Sequence, residues 1–175
     1  MVTLRCTQKL LKRMHLTADD LRNTVAVEPT NALGDWYAHL LIVERQHLVM
    51  FVSARSRLCI LVYARDIARL TKRFQDALAE VLQALPISEE AIQRELDAMT
   101  GLCYGLTTAT PEGRSVLGSI NDFTKVLQYM GLEDRSLHDW NLYFTTWVSG
   151  ALGYEYPGDV TRQLLEPPTS PEPVS

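Results

Sequence analysis

The chain has 175 residues, 46% of them hydrophobic and 22% charged, with a formal net charge of −4. That length suits one ordinary domain with a sizeable core, and no apolar run approaches the roughly 20 residues a membrane-spanning helix needs. The small net charge hides a split: residues 1–73 carry 12 Lys/Arg against 6 Asp/Glu, whereas residues 74–175 carry 5 against 15. One pole should attract phosphates or acidic partners and the other repel them.

Val2 to Thr7 alternates as a short strand does. Gln8 to Met14 then places Leu10, Leu11 and Met14 on one helical face, with Lys9, Lys12 and Arg13 opposite. The N-terminus lacks the basic start, long apolar stretch and small-residue cleavage site of a signal peptide. Cys6, Cys59 and Cys103 are widely spaced, with no Cys-x-x-Cys pair. A cytoplasmic protein with small, buried, apolar cysteines is the expectation. Thr17-Ala18-Asp19-Asp20 reads as a helix start, and Val25 to Asp35, with Pro29, Asn31 and Gly34, as a mobile connecting loop.

Three apolar runs follow, Trp36–Val43, Leu48–Val52 and Leu58–Tyr63, separated by the turns Glu44–His47 and Ala54–Arg57. Connections this short allow only antiparallel neighbours and predict a three-stranded meander. Trp36, Ala38, Leu40 and Ile42 share one face, Tyr37, Leu41 and Val43 the other. A sheet with two oily faces must be covered on both sides or hide one against a partner.

Arg65 to Leu85 has a helical stripe at Ile67, Leu70, Phe74, Leu78, Val81 and Leu85, and Pro86 stops it. Ser88 caps a second helix with Glu89 and Glu90 in its first turn. Gly101 to Thr108 is ambiguous and can supply a further strand; Pro111-Glu112-Gly113 is a turn. Ser115 is placed to cap a helix striped by Val116, Ile120, Phe123, Leu127 and Met130 that ends at Gly131. Ser136 starts a last long helix with Leu137, Trp140, Phe144, Trp147 and Ala151 along one side, an aromatic spine for the core rather than a stacking platform for bases. Together these predict one α+β domain over 1–166, an antiparallel sheet built on the meander plus an N-terminal strand and packed with about five helices. Residues 167–175 are too rich in proline to build a core and predict a flexible tail.

Three segments resemble a widespread bacterial family catalogued as a domain of unknown function. They are Arg5-Cys6-Thr7-Gln8-Lys9-Leu10-Leu11, Leu33-Gly34-Asp35-Trp36-Tyr37-Ala38-His39-Leu40 and Arg114-Ser115-Val116-Leu117-Gly118-Ser119-Ile120-Asn121-Asp122. The likeness covers roughly residues 2 to 130, with His39 where Asn is usual and Ile120 where Met is usual. It implies the architecture and no particular activity.

The third segment is the best candidate for chemistry. Arg114, the Ser115 hydroxyl and the free amides of a helix start would hold a phosphate or carboxylate, with Asn121 and Asp122 one to two turns along. More plainly, Ser115 is an N-cap, Gly118 permits close helix packing and Asn121 satisfies a buried backbone group. His39 is a weak candidate for acid–base work beside Asp122, or a hydrogen-bonded core histidine. His15, His47 and His138 show no metal-ligand spacing, so neither metal nor cofactor is expected. Arg5, Lys9, Lys12, Arg13, Arg45, Arg55, Arg57, Arg65, Arg69, Lys72 and Arg73 form a basic set that would track phosphates if their faces converge, with Arg55 and Arg57 flanking a hairpin tip. Three functions fit these features. The first is a non-enzymatic interaction protein that binds a protein partner or itself through a charge-polarised surface, away from membranes. The second is a nucleic-acid-binding accessory protein of a bacterial mobile-element or defence system. The third is a small enzyme for a phosphorylated ligand, using Arg114, Ser115 and His39.

Overall fold

β-branched and aromatic residues alternate with period two where the chain is extended, so each strand offers one row of side chains to either side of a sheet. The computed structural model describes residues 1–21, 28–148 and 150–168. Its strands are β1 (Thr3–Cys6), β2 (Trp36–Val43), β3 (Gln46–Ser53), β4 (Cys59–Tyr63) and β5 (Cys103–Leu106), in the order β4-β3-β2-β1-β5. β2 pairs antiparallel with β3, and β3 with β4. β1 lies parallel to both β2 and β5. The sheet is therefore mixed, which corrects the expected antiparallel one. The reason lies in the connections: long segments separate β1 from β2 and β4 from β5, and a long crossover returns the chain to the end from which it started.

Six α-helices are present among the described residues: α1 (Gln8–Arg13), α2 (Leu70–Ala84), α3 (Glu89–Ala98), α4 (Gly113–Met130), α5 (Leu137–Phe144) and α6 (Pro157–Leu165). The Ser88 and Ser136 hydroxyls cap α3 and α5 by accepting from Ala91 N and Asp139 N. The start expected at Thr17 is one 3-10 turn, Ala18–Leu21. The long last helix is shorter than expected: α5 stops at Phe144, Ala151 is exposed in a 3-10 turn, and α6 is an element the sequence did not signal. Of the expected connecting loop, residues 25–27 lie outside the described residues, as does the expected tail from 169 onward. No helix among the described residues is long and apolar enough to cross a membrane.

Both oily faces are covered from within the chain. Leu4, Trp36, Ala38, Val49, Phe51 and Ile60 pack under α1, α2, α3 and Leu165 of α6. Phe74 stacks on Phe51, centroids 4.1 Å apart, and meets Trp36 edge-on at 4.9 Å. On the other face Tyr37, Leu41, Met50, Val52 and Leu61 meet Val116, Ile120, Phe123 and Leu127 of α4 and Trp140 and Phe144 of α5. β4 is an edge strand, and Asn141 closes part of that edge. Its Oδ1 accepts from Leu61 N at 2.7 Å and its Nδ2 donates to Leu61 O at 3.2 Å, as a neighbouring strand would.

Candidate functional site

The second face is covered unevenly. α4 and α5 serve β2, β3 and β4, and no residue of β1 or β5 joins their apolar cluster. The side chains that β1 turns to this face are Thr3 and Arg5, polar rather than apolar, with Arg5 beside Tyr37 in register. Arg5 is 2% exposed and Asp35, just before β2, is 4% exposed. Arg5 Nε donates to Asp35 Oδ2 at 2.9 Å, and Thr3 N donates to Asp35 Oδ1 at 3.1 Å. Arg5 Nη1 is buried with no hydrogen-bond partner.

Asp35 is held in place by the turn before it. The buried Glu95 carboxylate accepts from Asn31 Nδ2 at 2.7 Å, Ala32 N at 2.9 Å and Leu33 N at 3.2 Å. Gly34 then adopts φ +76°, a conformation side chains disfavour, and releases the chain into β2. Arg55 braces the same turn through Nη1, which donates to the carbonyls of Asn31 and Ala32 at 3.1 and 3.2 Å.

The segment after β5 closes the site. Tyr37 Oη is hydrogen-bonded to Thr110 Oγ1, and burial, aided by the Glu112 charge, raises the phenol pKa against the opposing effect of that bond. α4 begins at Gly113, where a Cβ would stand 2.1 Å from the Thr107 carbonyl oxygen, so only glycine fits this approach. Two cavities result. One, about 410 Å³, is lined by Arg5, Gly34, Asp35, Arg55, Thr110 and Glu112 among others. The second, about 500 Å³, is lined by Thr107, Thr108, Thr110, Pro111, Arg114, Leu117, Gly118 and Asn121. Thr110 and Pro111 line both, so this segment is a common wall of the two lobes.

Of the expected anion-binding trio, Arg114 and Asn121 line the second lobe and Ser115 does not. Ser115 lies inside α4 rather than at its cap, and its hydroxyl accepts from Arg57 Nη2 at 3.0 Å. Arg57 is thereby removed from the basic surface. At the β3–β4 turn it adopts φ +58°, is 7% exposed, and also bonds the Ala54 carbonyl. Burial lowers its pKa, with Glu112 opposing that shift. Arg73 is likewise spent internally, on the carbonyls of Tyr63 and Asp66 at 2.6 and 2.8 Å and on that of Arg65. Lys9, Lys12, Arg13 and Arg45 are exposed, while exposed Arg69 and Lys72 face Asp66 and Asp76. Gly118 packs against nothing, since a Cβ there would have no neighbour within 4 Å.

His39 lines neither lobe. Burial and then Lys9 hold its imidazole below the usual pKa. Asp122 is exposed and also lines neither lobe. No group of three or more metal-ligating side chains comes together among the described residues. Among the described residues no base bonds Ser115, whose hydroxyl accepts from the Arg57 cation. Sequence reasoning missed the Arg5–Asp35 pair, Tyr37–Thr110 and the threonines. A charged residue at an inward position of an apolar strand was the available signal.

The cleft thus gathers residues from all three segments that carried the family resemblance: Arg5, Gly34 with Asp35, and Arg114 with Asn121. No curated protein and no solved structure matches the chain. Residues 3–160, however, fit the family described as Domain of unknown function (DUF6933), and the chain belongs to that family.

Proposed function

We propose that this chain is a binding protein for a small anionic ligand, held in the two-lobed cleft around Thr110 and Pro111 without covalent chemistry. Arg5 carries the proposal as the sign of a missing ligand, and Arg114 gives that ligand its charge. Arg5 is a guanidinium 2% exposed that lines the cleft, and its Nη1 has no partner. A buried donor left unpaired costs about 1–3 kcal/mol, and a ligand oxygen supplies the missing acceptor. Arg114 supports it: this exposed cation opens α4 and makes no ion pair or hydrogen bond with the described residues. The positive end of an 18-residue helix adds to its pull on an anion. Binding is favoured over catalysis because, among the described residues, no nucleophile lining the cleft is hydrogen-bonded to a histidine or carboxylate base. A protein partner is less favoured, because helices of the same chain cover both sheet faces.

Thermal unfolding at low ionic strength, with millimolar orthophosphate, citrate and nucleoside monophosphates, tests the proposal. A ligand at a hundredfold excess over its Kd stabilises by about 2.7 kcal/mol. For a chain of this length that raises Tm by about 5–10 °C. Arg114→Ala, at an exposed unpaired position, should keep the fold and lose most of the shift. No shift with any member of the panel, or an undiminished shift in Arg114→Ala, overturns the proposal.

A further inference from the structure

We infer that the two lobes divide the ligand, the Arg114 lobe taking a phosphate and the Arg5 lobe a flat ring with an amide edge, so that the ligand class is a nucleoside monophosphate. The inference rests on the anion-binding reading above and goes beyond it by assigning the second half of the molecule.

The Arg114 lobe suits a phosphate. Among the described residues Arg114 is the sole charged one lining it, and Thr107, Thr108, Thr110 and Asn121 supply hydroxyls and an amide. In the first turn of α4, Gly113 N bonds Thr110 O and Val116 N bonds Glu112 O, while the N–H groups of Arg114 and Ser115 have no backbone acceptor. Guanidinium, hydroxyls and open helix amides together match the three oxygens of a phosphomonoester. A helix start alone would not make a site. The independent sign of a ligand is Arg5, buried and unpartnered where the cleft continues.

The Arg5 lobe suits a neutral group instead. Arg5 and Arg55 are outnumbered there by Glu28, Asp35 and Glu112, so a second anion is disfavoured. Asp35 is already occupied by Arg5 and Thr3. That leaves Arg5 Nη1 as an unpaired donor and the carboxylates of Glu28 and Glu112, neither with a hydrogen bond or ion pair among the described residues, as acceptors; Glu112 is the one that, with Arg5, acts on Tyr37. A donor and an acceptor in one lobe complement a carbonyl beside an N–H, the lactam edge of guanine, hypoxanthine or uracil. Pro29, Pro111 and Ala54 give that ring apolar flanks. The two volumes, about 410 and 500 Å³, are both lined by Thr110 and Pro111 and leave room for a head group on each side.

Calorimetric titration of the full chain at low salt decides the matter, using orthophosphate, guanosine, and guanosine, uridine and adenosine monophosphates. Guanosine or uridine monophosphate should bind at least tenfold more tightly than orthophosphate and than adenosine monophosphate. Arg114→Ala should cut that affinity at least tenfold while leaving the weak binding of guanosine unchanged. Glu112→Gln should remove the preference over adenosine monophosphate and leave orthophosphate binding intact. If orthophosphate or citrate binds in an Arg114-dependent way but no nucleotide exceeds it, the division of the ligand is wrong and the anion site stands. If nothing in either panel binds, both fail.

Discussion

Asp35 holds the buried cation of the cleft, and removing it should unbalance the fold by a calculable amount. In Asp35→Ala the Arg5 guanidinium stays 2% exposed with neither countercharge nor its Nε acceptor, and Thr3 N loses its partner at 3.1 Å. Breaking a buried ion pair costs about 3–5 kcal/mol. An orphaned buried amide adds about 1 kcal/mol. The expected loss, roughly 4–6 kcal/mol, is a large part of the 5–15 kcal/mol that holds an ordinary domain together. Arg5→Met should cost about 3–5 kcal/mol for the mirror reason, a carboxylate left with one N–H. The double variant Arg5→Met/Asp35→Ala buries no charge and should lose about 2–3 kcal/mol, less than either single change. Urea unfolding at neutral pH, followed by fluorescence of the fully buried Trp36 next to Asp35, gives the cycle. If a single variant is unfolded in water, Asp35→Asn keeps an oxygen for one of the two donors and supplies a milder entry. Losses that simply add, within about 0.5 kcal/mol, would refute the claim that Arg5 depends on Asp35.

Gly113→Ala should cost about 1–3 kcal/mol, because a Cβ would stand 2.1 Å from a backbone oxygen, whereas Gly118→Ala should gain up to about 1 kcal/mol from helix propensity in open space; equal effects in chemical denaturation would contradict the packing described for α4. Asn141→Leu should lose about 1–3 kcal/mol for each of the two Leu61 backbone groups it strands, and a melting temperature unchanged from wild type would count against the edge closure. His39 carries a depressed pKa when folded, so its contribution is present above about 6.5 and is lost as pH falls through the lower folded value. His39→Asn should therefore flatten the decline in stability between pH 7.5 and pH 5, and an identical decline in both proteins would exclude His39 as its source.

Legibility followed the range of the interactions. The strands β2, β3 and β4 and the apolar stripes of α2 and α4 were readable because period two and period 3.6 are local properties of the chain. The caps at Ser88 and Ser136 were readable for the same reason, since each spans three residues. What pairs across long separations was not. The direction of β1 depends on where a crossover returns, and Arg5 and Asp35, thirty residues apart, gave no sign that they meet. Arg57 shows the limit most sharply. By sequence it is one of a run of bases at a hairpin tip; in the fold its turn is tight enough to tuck the guanidinium inward, where Ser115 accepts from it. The same contact removes Ser115 from the role a Ser-x-x helix start suggested, so one tertiary hydrogen bond accounts for two misplaced residues.

The position of the cleft follows from how the two kinds of pairing share one sheet. The β2-β3-β4 part is oily on both sides and takes α4 and α5 on its second face. The parallel β1–β5 part turns Thr3 and Arg5 to that face, and an apolar helix gains nothing by covering them. α4 must nevertheless begin next to this polar strip, because β5 leads into it through Thr107 to Glu112. Its first turn is fixed on two sides, by the approach of Gly113 to Thr107 and by the bond from Arg57 to Ser115. A helix end with open amides is thus anchored beside a buried, half-satisfied arginine, and both sit against walls set by packing elsewhere in the molecule. A ligand taken there as proposed would find its contacts already in place, and that pre-organisation is the physical ground for expecting selectivity as well as affinity.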